Sequence, residues 1–159
     1  MSHPNEDIIN KFYTSFSNKN VAGMIECYDD SIEFEDPVFG KLIGTKAKAM
    51  WQMLIERSAG LTLNFSNIVA NDEAGEADWV AEYNFSKTNR KVINKIHANF
   101  KFKDNKIISH KDNFNLWKWS GMALGWKGYL LGFTPIVTGK IKSEALSGLE
   151  LYMKRKRIS

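Results

Sequence analysis

The sequence predicts an α+β fold in which N-terminal helices are wrapped by a curved antiparallel sheet. Three observations carry this. Apolar residues recur at helical spacing through most of the chain before Gly60. From Leu61 to Leu116 they alternate with polar residues at period two. Turn residues then cut that second region into hairpin-sized pieces, and helices followed by a run of strands form an α+β pattern.

The elements follow in order. Pro4, with Asn5, Glu6 and Asp7 in the first turn, opens a helix with the apolar stripe Ile8, Ile9, Phe12, Tyr13 and Phe16. His3 is expected to fray with the terminus. Ser17 to Asn20 break the helix, and a second short one carries Val21, Met24, Ile25 and Tyr28. Asp29, Asp30 and Ser31 end that pattern. Ile32 and Phe34 then alternate with Glu33 and Glu35 as in a half-buried strand, and Asp36 falls in register with Ile32 and Phe34. Pro37, which lacks a donor, suits the strand's end. Gly40 and Gly44 bound a turn. Thr45 is the expected N-cap of a third helix bearing Ala49, Met50, Met53 and Leu54.

After Gly60, Leu61, Leu63 and Phe65 alternate, with Ile68 and Val69 behind them, up to a turn at residues 71–75. Trp79, Ala81, Tyr83 and Phe85 share one strand face. Beyond a turn at residues 87–90, Ile96, Ala98, Phe100 and Phe102 share another, with His97, Asn99, Lys101 and Lys103 opposite. Asp104-Asn105 signals a hairpin. The last strand puts Ile108, His110, Asp112, Phe114 and Leu116 on one face. Trp117, Trp119, Met122, Leu124, Trp126, Tyr129, Leu130, Leu131 and Phe133 then crowd a stretch broken by Gly125, Gly128 and Gly132. A last helix is expected from about Lys140, with Ile141, Ala145, Leu149 and Tyr152 on its stripe. The chain thus divides into an α+β body, 1–120, and a helical extension, 121–159, packed on the same domain. Peripheral membrane contact by the aromatics and the Lys-Arg tail is the alternative use of that extension.

Composition bounds the function. With 159 residues, 43% apolar and 25% charged, the chain has a globular profile. Its net charge of +4 is accounted for by six basic residues between Lys140 and Arg157 against Glu144 and Glu150, so the body is neutral and no nucleic-acid face is expected. Cys27, the only cysteine, excludes an intrachain disulfide framework and fits a reducing, cytoplasmic compartment as a buried thiol. The start shows no signal-peptide pattern, and no apolar run reaches membrane-spanning length.

Asp36 stands at the mouth of an apolar face. There it is either a general base whose proton is held by desolvation or a turn residue capping its own backbone before Pro37. His110 and Asp112 share a face, as a satisfied pair or as catalytic groups, while His97 points the other way. Three scattered histidines offer no metal-ligand spacing. Tyr83 is the available neutral donor.

The order helix, helix, Phe34-Glu-Asp-Pro-Val38, a Gly44-Thr45 helix start, then four strands ending in Lys106-Ile-Ile-Ser-His-Lys-Asp112 resembles the nuclear transport factor 2-like superfamily. That superfamily includes ketosteroid isomerase, the SnoaL-like cyclases and limonene epoxide hydrolase. The resemblance implies a cone-shaped half-barrel closing an apolar pocket for a hydrophobic small molecule, chemistry without cofactor or metal, and a homodimer through the outer sheet face. That face is expected to carry His97, Asn99 and Asn113 together with Trp117 and Trp119, two tryptophans that are costly to leave in water. Asp36, in Glu-Asp-Pro-Val, matches the isomerase's general base, whereas its two oxyanion donors fall on Phe12 and Ala98. His110-Lys-Asp-Asn-Phe-Asn115 resembles the last strand of the epoxide hydrolase, with Asp112 at its catalytic aspartate and at the cyclases' acid-base position. The implied catalytic set is Asp36, His110 and Asp112, and the implied ligand contacts are Phe12, Phe34, Trp79, Tyr83, Phe85, Phe100 and Phe114. The functional expectation is an isomerase-, cyclase- or epoxide hydrolase-like enzyme, or else a non-catalytic binding or dimerising module.

Overall fold

Helices from the first third of the chain lie in the hollow of a six-stranded sheet. The computed structural model describes residues 2–58, 60–131 and 134–159. In order, the elements are α1 (Pro4–Ser17), α2 (Val21–Glu26), β1 (Tyr28–Asp36), β2 (Gly40–Ile43), α3 (Thr45–Arg57), β3 (Thr62–Ala70), β4 (Ala74–Asn84), β5 (Lys91–Lys103), β6 (Lys106–Asn113), α4 (Leu116–Leu124), α5 (Trp126–Leu131) and α6 (Pro135–Lys156). The strands stand in the order β2-β1-β6-β5-β4-β3, a curved sheet that does not close.

The α+β cone is as the sequence predicts, with one difference in topology. β1 runs parallel to β6, pairing Phe34 with His110, so the sheet is mixed. A parallel neighbour separated by residues 37–105 leaves no turn signal between the two strands. The supposed turn between Gly40 and Gly44 is instead β2, a short hairpin partner of β1. Gly44, at φ 58°, is the N-cap of α3, and Thr45 is its first residue. His3 does not fray. Its Nδ1 accepts from the backbone N–H of Asn5, Glu6 bonds back to it, and its Nε2 lies 2.9 Å from Asp72.

β5 buries every second residue without a break, the signature of one wet and one dry face. The hairpin after it turns on Asp104 and Asn105, at φ 51° and 62°, the pair of left-handed residues that a tight turn requires. In β6 the register shifts opposite Phe102, which puts Ile107 rather than Ile108 inside. Period two, read straight through, misses such a bulge. Aromatic rings fill the hollow. Trp51 of α3 meets Phe12, Phe16 and Phe34 edge-on at 5.7, 5.1 and 5.3 Å.

Asn115 caps α4, and Gly125, at φ 79°, breaks the chain between α4 and α5. Gly128 sits against the Ser120 carbonyl, where a Cβ would collide with backbone, so glycine sets how closely α5 folds onto α4. α6 starts earlier than the stripe suggested, at Pro135 with Thr134 as its cap. Gly139 lies inside it. Leu149 and Tyr152 are buried in the main core, and Ala123 joins Val92 and Trp119 in a second cluster. Trp117 and Trp119 belong to α4 and not to the outer sheet face: Trp119 is buried, and Trp117 donates to the Tyr129 carbonyl at 2.6 Å. Gly132 and Phe133 lie outside the described residues. Among the described residues, no helix is long and apolar enough to cross a membrane.

Candidate functional site

Between α3, the concave sheet face and the C-terminal helices lies a cavity of about 510 Å³. β1 contributes Phe34 and Asp36, and α3 contributes Met50, Trp51 and Leu54. β4 and the residue after it give Trp79, Ala81, Tyr83 and Phe85, while β5 gives Ile96. Asp112 and Phe114 come from β6 and its end, and Trp119, Leu131, Ile141 and Ala145 from the extension. Most of the wall is apolar, as in ligand cavities generally, and Arg57, Lys87, Lys127, Lys140 and Glu144 also line it.

Asp36 stands where β1 ends. Its Oδ1 accepts from the backbone N–H of Val38 at 2.9 Å and of Phe39 at 2.6 Å, so the carboxylate does cap the turn after Pro37. No hydrogen bond occupies Oδ2 among the described residues. Burial pushes the Asp36 carboxyl from 3.8 up to about 7, and the nearby Asp112 charge adds to it against the pull of the two N–H groups. Its turn-capping role therefore coexists with a proton exchanged near neutrality.

Behind Asp112 runs a chain of buried hydrogen bonds. Trp51 Nε1 donates to the Tyr28 hydroxyl oxygen at 2.9 Å, and Tyr28 lies 2.7 Å from His110 Nδ1. His110 Nε2 lies 2.9 Å from Asp112 Oδ1, which also accepts from Trp79 Nε1 at 3.3 Å. One arrangement gives every proton an acceptor: Tyr28 donates to Nδ1, and the imidazole keeps its hydrogen on Nε2 and donates to Asp112. His110 is 0% and Asp112 3% exposed, so these bonds are made out of water, where each counts for more. Burial also holds the Tyr28 hydroxyl well above the ordinary tyrosine range. The neutral tyrosine can orient the imidazole but does not ionise.

The structure thus brings Asp36 and Asp112 to one cavity and places His110 behind Asp112, with its ring edge-on to Phe34 at 5.2 Å. Phe34, Trp79, Tyr83, Phe85 and Phe114 line the cavity. Phe12 and Phe100 are not among its lining. They pack around His110, with ring centroids 5.4 and 4.5 Å away. The Tyr83 hydroxyl accepts from Trp119 Nε1 at 2.9 Å. His97 faces outward, 2.6 Å from Asp78. Cys27 is buried, which pushes its thiol up to about 11.

Two residues of this hydrogen-bond chain, Tyr28 and Trp51, are not among the site residues that the sequence suggests. Helical spacing places Tyr28 at the end of the second helix, whereas it opens β1: a register shift between Tyr28 and Glu33 turns it inward although Asp30, between it and Ile32, is exposed. Trp51 lies with Ala47, Met50 and Leu54 along one helical face, a signal that was available.

By sequence, no curated protein matches the chain. Solved structures match its shape. TerC, co-crystallised with polyporic acid, is 14% identical with a TM-score of 0.64, covering 76% of this chain and 98% of TerC. IdmH, a putative polyketide cyclase from Streptomyces antibioticus, is 15% identical with a TM-score of 0.64, covering 76% and 98%. An epoxide hydrolase of M. tuberculosis, described as LEH-like, is 16% identical with a TM-score of 0.63, covering 86% and 96%. At these identities the likeness concerns the fold, which is the nuclear transport factor 2-like cone. The model of the SnoaL-like domain matches residues 9–110, from α1 to the buried histidine, and covers well over half of the sequence. The chain belongs to the SnoaL-like domain family.

Proposed function

We propose that the chain takes a hydrophobic small molecule into the cavity and moves a proton on it, in an isomerisation, cyclisation or epoxide opening that needs no cofactor. One observation carries this: Asp36 and Asp112 line the same largely apolar cavity, and burial there pushes the Asp36 carboxyl up to about 7. Asp36 is the group that takes up and returns the proton. Asp112, whose Oδ1 accepts from Trp79 and lies 2.9 Å from His110, is the alternative base. His110 and Tyr28 act through Asp112 and are positioning residues. Polyporic acid in TerC and the cyclase and epoxide hydrolase neighbours support a small-molecule occupant.

The test pairs NMR titration of the Asp36 carboxyl carbon with deuterium exchange into a panel of hydrophobic ketones. A titration near neutrality, with exchange that Asp36→Asn or Asp112→Asn lowers on the order of a hundredfold, supports the reading. An ordinary carboxylate titration with no exchange rejects it. The second reading is a binding pocket without chemistry, and the bonds from Val38 and Phe39 to Asp36 favour it, since they give the residue a structural task. A homodimer through the outer sheet face belongs to the same proposal. Exposed Ile93 and Val69 support it, and the mass in solution checks it.

A further inference from the structure

The cavity's outer wall carries a surface that the chemistry inside does not use. α5 contributes Lys127, Gly128 and Leu131 to the cavity, and its remaining side chains turn outward. Trp126 is 70%, Tyr129 60% and Leu130 59% exposed, and Ile136 at the start of α6 is 84% exposed. Trp126, Tyr129 and Leu130 stand at i, i+3 and i+4 on α5 and so share one face, which isolated surface residues would not do. Their electrostatic setting is one-sided. From Asn113 to Ser143 the sequence contains no Asp or Glu, while Lys118, Lys127, Lys140 and Lys142 all fall within it. The acids that bound this stretch are Asp112, which is buried, and Glu144, which is paired with Lys87 at 3.2 Å.

We propose that this face docks on an anionic lipid bilayer surface, with Trp126, Tyr129, Leu130 and Ile136 entering the headgroup region and Lys118, Lys127 and Lys140 supplying the positive charge, while Lys142 lies against Gly40. Tryptophan and tyrosine suit that region because each has an apolar body and a polar tip. Lysines near an anionic surface add attraction that falls off within a Debye length. A second copy of the chain would also cover apolar side chains, but stacking this face on itself would bring two sets of lysines together with no acid between them. Lipid supplies the opposite charge. The segment is too short to span, so the contact is interfacial. Because Lys127 and Lys140 line the cavity as well, docking sets the outer end of the cavity against the membrane. A ligand partitioned into lipid would then reach the cavity without crossing water. The docking itself holds whatever the cavity binds or does.

The test is flotation of the full chain with vesicles of phosphatidylcholine, with and without phosphatidylglycerol. Binding should be stronger on the order of tenfold with the anionic lipid and should weaken with added salt. Trp126→Ser with Leu130→Ser should weaken it by about tenfold or more at an unchanged urea midpoint, since both side chains are exposed. Ile136→Ser, on a different helix, should act in the same direction and keeps the test valid if the α5 variant unfolds. Failure to float with the anionic vesicles overturns the proposal. So does binding that survives the serine variants but is lost on removing residues 154–159, because the basic tail alone would then account for it. A dimer broken by the serine variants, with no vesicle binding, assigns the face to a second copy and overturns the proposal as well.

Discussion

Asn at position 36 should make the protein more stable in neutral and alkaline solution while leaving it nearly unchanged in acid. The folded state holds the Asp36 proton up to about pH 7, whereas the unfolded chain releases it near 3.8. Between those values the native state binds more protons than the unfolded state, so stability falls as pH rises through the window. The full shift corresponds to an upper limit of about 4 kcal/mol. One end of the cavity is open to water, which reduces this to on the order of 2 kcal/mol. Asp36→Asn removes the titration but keeps an oxygen that can accept from Val38 and Phe39, so the turn is retained. Urea denaturation of both proteins at a series of pH values reads the effect. The two should coincide near pH 4 and separate progressively toward pH 8, with the variant on top. Parallel curves, with a constant gap across the window, would refute the raised proton affinity and with it the case for Asp36 as an acid-base group.

Tyr28→Phe leaves Trp51 Nε1 and His110 Nδ1 without their partner in a buried place, and urea unfolding should show a loss of about 1–3 kcal/mol. Leu149→Ala, in a side chain 1% exposed beneath α6, should cost about 2–5 kcal/mol, measured as a fall in Tm. The bond and charge of Asp78 hold the His97 imidazolium, raising its pKa above 6.5, and proton NMR should show Asp78→Asn bringing the titration back down. The stabilisation from that pair is present below the unfolded value and fades as pH rises through the folded one.

Legibility in the sequence followed the range of the interaction. The inward placement of His110 and Asp112 follows from alternation alone, because β6 keeps its parity from His110 onward, past the bulge. Asp36 could be given both a turn role and a raised proton affinity from Pro37 and its apolar neighbours, and both features are present. Tyr28 could not be assigned that way. It closes an apolar run of helical spacing, and only pairing with Ile107 across the sheet makes it a strand residue. The cavity wall was hidden for the same reason. The stripe on α6 announced a partner, but nothing local says that Ile141 and Ala145 line the cavity while Leu149 and Tyr152 enter the core.

The parallel joint between β1 and β6 has a consequence for synthesis. A chain emerging from the ribosome presents β1 and its short partner β2 long before β6 exists. Until residues 106–113 appear, one edge of β1 is open, with the apolar side chains of Ile32 and Phe34 beside it. β3 to β6 can zip as successive hairpins, each closing a short loop. β1 has to wait for the longest closure in the sheet. Asp36 and Asp112 ride on the two strands that meet last, so the acid pair exists only in chains that have finished folding. A nascent or stalled chain can hold most of its hairpins and still lack the pairing of β1 with β6 that brings Asp36 and Asp112 to one cavity.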